Sequence, residues 1–281
     1  MQLLMLSIGA DLQVYLYFGF LVIFLVAERL LPKRKPVESQ APRWRTNAGL
    51  TALVIALLPI LPVSLISAAQ WAQGQGFGVL NLVAGNWPEM VLVVVTLLLR
   101  GFISFATHFL NHKVPWLWRI HRVHHLDTEL DVSSTVRFHP LEMPISMVIG
   151  LPMVAVLGLS PWVLIFYELF DVTVTLFSHS NLRVAPWLNR YLRYIIVTPD
   201  LHRVHHSTYR PETDSNYSAV FPIWDVLFGT FRTTTREPLA TMPLGLDEVR
   251  NPQANRFWWL LISPFVLSGR TRSKHLMELP S

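Results

Sequence analysis

The sequences RIHRVHH at Arg119–His125 and DLHRVHH at Asp200–His206 contain the same pentapeptide, HRVHH, about eighty residues apart. The two copies account for six of the eleven histidines in the chain. On a helix, residues three and four positions apart share a face, so each HRVHH directs two or more imidazoles toward one region. The repeated pentapeptide therefore predicts a metal site built by helices from distant parts of the sequence.

Further histidines extend this pattern. The sequence HFLNH has the same four-residue spacing of a helical ligand pair, and single histidines occur in RFHP and FSHSN. Imidazole suits iron, copper, zinc and nickel, and a structural zinc ion is satisfied by four ligands. Eight to ten converging histidines are too many for one ion and suit two. The candidate ligands are His108, His112, His121, His124, His125, His139, His179, His202, His205 and His206.

The composition is that of a membrane protein. Of the 281 residues, 52% are hydrophobic and only 15% are charged, and the mean hydropathy is +0.38. Cysteine is absent, so any metal must be held by nitrogen or oxygen, and disulfides and iron–sulfur clusters are excluded. The formal charge of +5 does not indicate nucleic acid as a partner, because the basic residues are interleaved with apolar segments.

Long apolar segments predict an all-α integral membrane protein with about four transmembrane helices. Pro59 and Pro62 are expected to kink the second segment, and GLSP at Gly158–Pro161 is expected to divide the last one into a helical hairpin. The stretch Phe257–Leu267 is too short to span and is expected to lie on the membrane or pack on the helices. The predicted spans are Leu12–Leu31, Ala48–Ala69, Pro88–Leu110 and the hairpin Leu141–Ser178.

Lysine and arginine predict the orientation of these spans. The first connection contains five of these residues, Lys33, Arg34, Lys35, Arg43 and Arg45, whereas the second connection, 70–87, contains none. Positively charged loops stay in the cytoplasm, so the first connection is expected on that side. The same topology places the ten candidate ligands at the cytoplasmic ends of the spans, on an inner membrane if the protein is bacterial. The first span lacks the features of a cleaved signal peptide and is expected to remain as an anchor.

The ordered boxes HFLNH, HRVHH and HRVHH, followed by DSNYSAVFPIWDVLFGTF at Asp214–Phe231, resemble the sterol desaturase / fatty acid hydroxylase superfamily of membrane di-iron oxygenases. The resemblance covers roughly Leu92–Phe231. It implies four membrane helices under a cytosolic helical cap, and two iron ions held by the eight box histidines. His179 matches a further family ligand, although the residue four positions later is Arg183, and His139 also looks family-like.

The resemblance also implies the reaction, which is the O2-dependent hydroxylation or desaturation of a lipid C–H bond. A site at the membrane face would receive its lipid from the bilayer, and sterol, fatty acyl, carotenoid, ether-lipid and amino-lipid substrates all remain open. Electrons must come from an external redox partner, because the chain offers no cysteine for a cluster and no GxGxxG after a strand for a flavin. The oligomeric state is not predicted.

Three regions are expected along the chain. Residues 1–87 would form the membrane anchor helices, residues 88–231 the catalytic region, and residues 232–281 a cytosolic C-terminal cap or tail. The isolated His275 in the last region has no partner motif and is not expected to bind metal.

A few polar residues attract attention outside the histidine boxes. Arg100, Glu168 and Asp171 lie within predicted spans, where ionisable groups are costly and often functional. We hypothesise that Arg100 pairs with Glu168, the alternative being snorkelling or ordinary helix-packing polarity. In the closing segment, Asp225 and Asn216 are candidates for bracing ligand imidazoles, the alternative being a structural turn-and-packing role, which is favoured for Asn216.

Two other functional classes compete with the oxygenase. A membrane metal carrier would need ionisable residues along a path through the bilayer, and only Arg100, Glu168 and Asp171 qualify. A bis-histidine haem protein would place its histidine pairs within facing spans rather than at their ends. Neither class explains the HRVHH pairs as well as a dimetal site does.

Overall fold

The structure is a computed structural model that describes residues 2–36 and 39–266; in this part of the chain the regular elements are helices, with two isolated β-bridges. The predicted all-α class is confirmed. The helices are α1 (Gln2–Leu30), α2 (Gln40–Leu57), α3 (Leu65–Gly74), α4 (Val79–Val83), α5 (Glu89–Lys113), α6 (Pro115–His125), α7 (Glu142–Leu157), α8 (Pro161–His179), α9 (Pro186–Leu192), α10 (Pro199–His205), α11 (Arg210–Thr213), α12 (Ile223–Leu227) and α13 (Phe257–Val266). His275 lies outside the described residues.

Two helices of the described part of the chain, α5 and α8, are long and apolar enough to cross a membrane. Each begins at a proline, Pro88 at the N-cap of α5 and Pro161 in the first turn of α8, where a missing backbone N–H costs no helical hydrogen bond. The two helices pack against each other, and their C-terminal turns carry His112 and His179. They therefore deliver ligand candidates from both helices to one end of the molecule.

The predicted hairpin is confirmed. α7 ends at Leu157, α8 begins at Pro161, and Gly158 between them has a φ of 67°, a left-handed conformation that favours glycine. The turn lies against Gly78, where an added Cβ would stand only 2.6 Å from the Cα of Gly158. The uncharged second connection, 70–87, thus meets the hairpin turn at the end of the helices opposite the histidines.

The second predicted span, Ala48–Ala69, differs from the structure because it is interrupted rather than kinked. α2 ends at Leu57, a 3-10 turn covers Leu58–Ile60, and α3 begins only at Leu65. Pro59 and Pro62 lack the backbone N–H groups that would continue the helical hydrogen bonds. Ser64 then caps α3 with a capping box in which its hydroxyl accepts from the backbone N–H of Ser67 at 3.1 Å, so α3 starts as a new helix.

The first connection lies beside the histidine end, as the positive-charge distribution predicts. Arg43 of α2 donates to Asp127, with Nη1 2.9 Å from Oδ2, and also to Asp131; both acids follow α6. Asn47 joins this pair to Arg137, because its amide donates to Asp127 at 3.3 Å and its Oδ1 accepts from Arg137 at 2.9 Å. Burial raises the pKa of Asp127, but Arg43 and Arg137, together with the hydrogen bonds from Ser134 and Asn47, lower it below its usual value. This network fixes α2 to the segment that carries the first HRVHH.

The short apolar stretch near the C-terminus packs on the helices. α13 covers Phe257–Val266 and lies against α6 and α2, where Leu260 joins Leu50 and Val123 in one fully buried cluster. Gly49 of α2 lets the ring of Phe257 approach so closely that an added Cβ would stand 3.1 Å from it. Residues 257–266 therefore close the outer side of the first HRVHH helix.

Replacing Arg43 tests the buried network. In the variant Arg43→Ala, Asp127 and Asp131 keep their charges without their main cation, so we expect a loss of about 3 kcal/mol in the free energy of unfolding. The measurement is the thermal unfolding midpoint of the detergent-purified protein. Arg45→Ala is the matched control, because Arg45 lies on the exposed side of the same helix and donates to the backbone carbonyl of Ala41. Equal midpoints for the two variants would contradict the prediction.

Candidate metal centre

Nine histidines converge in two adjoining groups, and in each group one ring nitrogen from every residue lies within 4.8 Å of the others. Group one consists of His108, His112, His121, His125 and His205; group two consists of His124, His179, His202 and His206. The rings of His125 and His206 stack across the boundary with centroids 4.5 Å apart. The structure thus brings nine of the ten candidate ligands together, from helices α5, α6, α8 and α10 and the residue after α10.

The two copies of HRVHH contribute to the groups in opposite ways. In the first copy, His121 and His125 belong to group one and His124 to group two. In the second copy, His202 and His206 belong to group two and His205 to group one. This division follows from helix geometry, because positions i and i+4 differ in direction by about 40°, whereas i+3 and i+4 diverge by about 100°. Each pentapeptide therefore serves both groups.

Hydrogen bonds at Nδ1 fix the position of the proton on three of the five group-one imidazoles. His108 Nδ1 donates to the carbonyl of Tyr217 at 2.7 Å, and His205 Nδ1 donates to the carbonyl of Ser215 at 2.7 Å. His121 Nδ1 lies 2.6 Å from the carboxylate of Glu142. Since these partners accept, the proton of each neutral ring sits on Nδ1 and Nε2 keeps its lone pair.

The lone pairs of these three rings point at one another. His108 Nε2 lies 3.0 Å from His121 Nε2 and 3.1 Å from His205 Nε2. Neither partner of such a pair can donate a hydrogen bond, so the arrangement is repulsive unless a cation lies among the nitrogens. Two nitrogens that bind one metal at right angles, each about 2.1 Å from it, stand about 3.0 Å apart. The donor set therefore fits a metal ion.

Group two repeats the arrangement with fewer histidines. His179 Nδ1 donates to the carbonyl of Thr175 at 2.8 Å, and its Nε2 lies 2.9 Å from His202 Nε2 and 3.3 Å from His124 Nε2. The ring of His124 stacks on Phe138 with centroids 4.7 Å apart. Arg183, which replaces the histidine expected four residues after His179, is exposed and takes no part in the group.

Burial keeps the imidazoles outside the spans neutral. Desolvation lowers the pKa of His205 to about 3 and lowers the pKa values of His125 and His202 well below 6.5, and neighbouring histidines lower the latter two further. The pKa values of His124 and His206 shift in the same direction for the same reasons. Neutral imidazole is the form that binds a metal.

His139 is not brought into either group. Its Nε2 lies 3.1 Å from the carbonyl of Leu261, and its Nδ1 accepts from the backbone N–H of Leu141 at 3.1 Å. The ring thereby ties the start of α7 to α13. Its assignment as a metal ligand stays a prediction, and the contacts of both ring nitrogens favour a positioning role.

Asp225 and Asn216 act on the loop rather than on the imidazoles themselves. The carboxylate of Asp225 accepts from the backbone N–H groups of Tyr217 at 2.7 Å and Ser218 at 2.9 Å. Asn216 adopts a left-handed φ of 52° and bonds both backbone groups of Arg232. The two side chains hold the loop whose carbonyls accept from His108 and His205. They therefore position these two ligands through the loop backbone rather than directly.

Several positioning groups escape sequence reasoning. The carbonyls of Thr175, Ser215 and Tyr217 are backbone atoms, which no residue type identifies. Glu142 could have been found, because it is an isolated carboxylate at the start of an apolar helix, and its side chain is only 10% exposed. A carboxylate bonded to a ligand histidine is a common support in metal sites.

The hypothesised pairing of Arg100 with Glu168 is confirmed. Arg100 Nε donates to Glu168 Oε1 at 2.8 Å, and the guanidinium lies 4.8 Å from the centre of the Tyr167 ring. The pair joins α5 to α8 within the two helices that are apolar enough to span a membrane.

Comparisons with known proteins agree with the geometry. The family model for fatty acid hydroxylase matches residues 93–230. The chain is 29% identical over 264 residues to ornithine lipid hydroxylase OlsE of Rhizobium tropici, covering 90% of this chain and 76% of that protein. It is 25% identical to cholesterol 25-hydroxylase of Rattus norvegicus (78% and 74% covered) and 31% identical to alkylglycerol monooxygenase of Homo sapiens (44% and 27% covered). No solved structure gives a significant match.

Acidification is expected to weaken the site. The folded-state pKa of His125, His202 and His205 lies below the unfolded value of about 6.5, so the unfolded chain takes up protons first as the pH falls. The contribution of these neutral histidines to the free energy of unfolding is therefore fully present above pH 6.5 and is lost as the pH falls below it. Protons also compete with metal for the imidazole nitrogens. We expect lower thermal midpoints and metal release between pH 7 and pH 5. An unchanged midpoint over this range would contradict the expectation.

Removing the carboxylate behind His121 is expected to weaken metal binding. In Glu142→Ala, the imidazole loses the acceptor that fixes its proton and direction, so metal affinity should fall by about 10–100-fold. Competition with a chelator measures this affinity. Glu89→Ala is the control, because Glu89 is exposed at the opposite end of α5. The role given to Glu142 is wrong if both variants hold metal as the unaltered protein does.

Proposed function

The chain belongs to the fatty acid hydroxylase family and is a lipid hydroxylase, and we propose that it hydroxylates a membrane lipid with O2 at a pair of iron ions. The observation that carries this proposal is the convergence of imidazole Nε2 lone pairs, 2.9–3.3 Å apart, in two adjoining buried groups. Two such groups side by side offer places for two ions. The relatives named above are all hydroxylases or monooxygenases, which favours hydroxylation over desaturation.

The proposed ligands are the nine histidines of the two groups. Imidazole nitrogen is a good donor to iron, and the chain has no cysteine with which it could hold an iron–sulfur cluster instead. Bound ferrous iron supplies the reduction of O2 and an oxidant able to take hydrogen from an unactivated C–H bond. Burial keeps the imidazoles neutral. Acceptors at Nδ1 orient the rings of His108, His121, His179 and His205.

We further propose that the histidine groups face the cytoplasm. Lysine and arginine of the first connection contact the histidine end, whereas 70–87 at the opposite end contains neither residue. Beyond the two apolar spans α5 and α8, we propose that α1, α7 and the interrupted segment α2–α3 also cross the bilayer under the cap, since α2–α3 joins the first connection to 70–87. Residues 1–87 would then anchor, 88–231 would hold the site, and 232–281 would cover it.

The electron donor is proposed to dock beside group one. A cavity of about 350 Å³ is lined by Asp214, Ser215 and Arg232, among others. Ser215 accepts from His205 through its carbonyl, and Asp214 Oδ1 lies 3.4 Å from His112 Nδ1, so the cavity wall touches two proposed ligands directly. Lys113 and Arg210 at Asp214 keep 39% and 47% of their side chains exposed. This basic rim suits an acidic one-electron carrier protein.

Metal analysis together with lipid analysis tests the proposed function. We expect about two irons per chain, no haem absorption, and expressing cells whose lipids gain one oxygen atom. His205→Ala and His206→Ala, one from each group, should each lower the iron content and abolish the oxygenated lipid. Arg250→Ala, an exposed site away from both groups, should behave as the unaltered protein.

Three results would contradict the proposal. A haem spectrum would favour the bis-histidine haem protein, and metal bound without any change in cellular lipids would favour a carrier. Lipids that lose two hydrogens instead of gaining oxygen would replace hydroxylation by desaturation.

A further inference from the structure

Two polar ridges run along the apolar helices α5 and α8 and end at the histidine groups. On α5, Thr96, Arg100, Ser104 and His108 follow one another at intervals of four residues; on α8, Tyr167, Asp171, Thr175 and His179 do the same. Residues four apart share a helix face. Because Arg100 contacts Glu168 and the ring of Tyr167, the two ridges face each other. One ridge ends in group one and the other in group two.

Several polar atoms of the ridges are buried without a partner. Among residues 2–36 and 39–266, no hydrogen-bond partner is found for three of these atoms, which are Thr96 Oγ1, Asp171 Oδ1 and Thr175 Oγ1. A polar group in the hydrocarbon region is costly when it lacks a partner, because the bilayer core supplies no water. Nothing in helix packing requires three such atoms on facing ridges, so they indicate a ligand with polar atoms of its own.

The charges of the ridges define the kind of ligand. Arg100 contributes one positive charge, and Glu168 and Asp171 contribute two negative charges, which leaves one carboxylate in excess when all are ionised. Glu168 already accepts from Arg100, whereas Asp171 Oδ1 has no partner among the described residues. A hydrogen-bond donor suits this oxygen. A passing metal cation does not suit the cluster, because it would meet the guanidinium of Arg100.

The cluster is accessible from the side of the helices. Glu168 keeps 21% of its side chain exposed, and Asp171 is half-buried. The neighbouring Phe166 and Phe170 are 46% and 41% exposed, as expected of residues that face lipid chains. A lipid in the bilayer can therefore approach the cluster at Glu168 without passing through the cap, and its polar group would enter between the ridges to reach the buried Oδ1 of Asp171.

We propose that the facing ridges bind a hydrogen-bond-donating group of the lipid substrate, a hydroxyl or an amide N–H, with Asp171 as its acceptor. This inference rests on the proposed function, because it names the substrate class of the same site. Asp171 precedes His179 by eight residues, which corresponds to about 12 Å along the helix. The carbon that is hydroxylated would then lie on the order of 12 Å from the bound donor group, so the ridges would also select the position of reaction.

Thermal stabilisation by simple lipids tests this binding without using turnover. The iron-loaded protein is titrated in detergent with hexadecanol, which offers a hydroxyl, with N-hexadecylacetamide, which offers an amide N–H, and with methyl hexadecanoate, which offers neither. We expect the alcohol, the amide or both to raise the unfolding midpoint at about tenfold lower concentration than the ester. The arm that succeeds identifies the donor.

Substitutions connect the preference to the ridges. Asp171→Asn should weaken donor binding by about tenfold or more and leave the ester and the iron content unchanged. Thr173→Val is the matched control, since Thr173 lies on the same helix off the ridge and its hydroxyl already bonds Leu169. Should Asp171→Asn fail to fold, Thr96→Val and Thr175→Val are expected to reduce the same preference.

Equal stabilisation by all three lipids in the unaltered protein would overturn the inference, as would an undiminished preference in the ridge variants. These outcomes are separate from the proposed function. Loss of iron or absence of oxygenated lipid in the unaltered protein would refute the hydroxylase proposal, while a donor preference measured by stabilisation would stand.

Discussion

The rest of the structure depends on one constraint, which is that several neutral imidazoles must present their Nε2 lone pairs to a common point in a buried region. Such an arrangement does not persist through histidines alone, because the lone pairs repel. At His108, His121, His179 and His205, an acceptor at Nδ1 fixes the proton away from the centre. These acceptors come from separate elements: Thr175 on α8, Glu142 on α7, and Ser215 and Tyr217 on the loop before α12. The packing of these elements is thus part of the coordination chemistry.

The sequence predicts the features that are periodic. The spacing of the boxes identifies eight of the nine histidines that converge, and the family resemblance adds His179. The apolar runs identify α5 and the α7–α8 hairpin with its Gly158 turn. It cannot predict how the second HRVHH reverses the contribution of the first, because that depends on the relative placement of α6 and α10. The sequence predicts a kink where the structure has a break between Leu57 and Leu65. Proline shows where helical hydrogen bonding fails, but it does not show whether the helix continues beyond that point. Acceptors that are backbone carbonyls carry no residue signature at all.

The N-terminal region also holds the segments beside the histidine groups. Glu28 at the end of α1 accepts from the backbone N–H groups of Asn181 at 2.9 Å and Val132 at 3.1 Å. The arginines of the two HRVHH copies are completely buried; Arg203 donates to the side chain of Asn181 at 3.0 Å, and Arg122 donates to the carbonyl of Ser263 at 3.1 Å. Each ligand helix is therefore fixed on the side opposite its histidines by a cation that reaches a different part of the chain. This explains why both pentapeptides carry arginine at the same position.

The placement of polarity in α5 and α8 shows how a lipid-facing pair of helices supports polar chemistry. A helix satisfies its own backbone groups, so only side chains decide whether it tolerates the bilayer. Both helices confine their ionisable side chains to neighbouring faces, where Arg100 and Glu168 pair, and leave apolar residues such as Phe166 and Phe170 exposed. In the proposed binding mode, a lipid enters this polar region from one side and its reacting carbon lies at the histidine end. The four-residue periodicity that aligns the ligands in the histidine boxes therefore also aligns the polar side chains of α5 and α8 with those ligands.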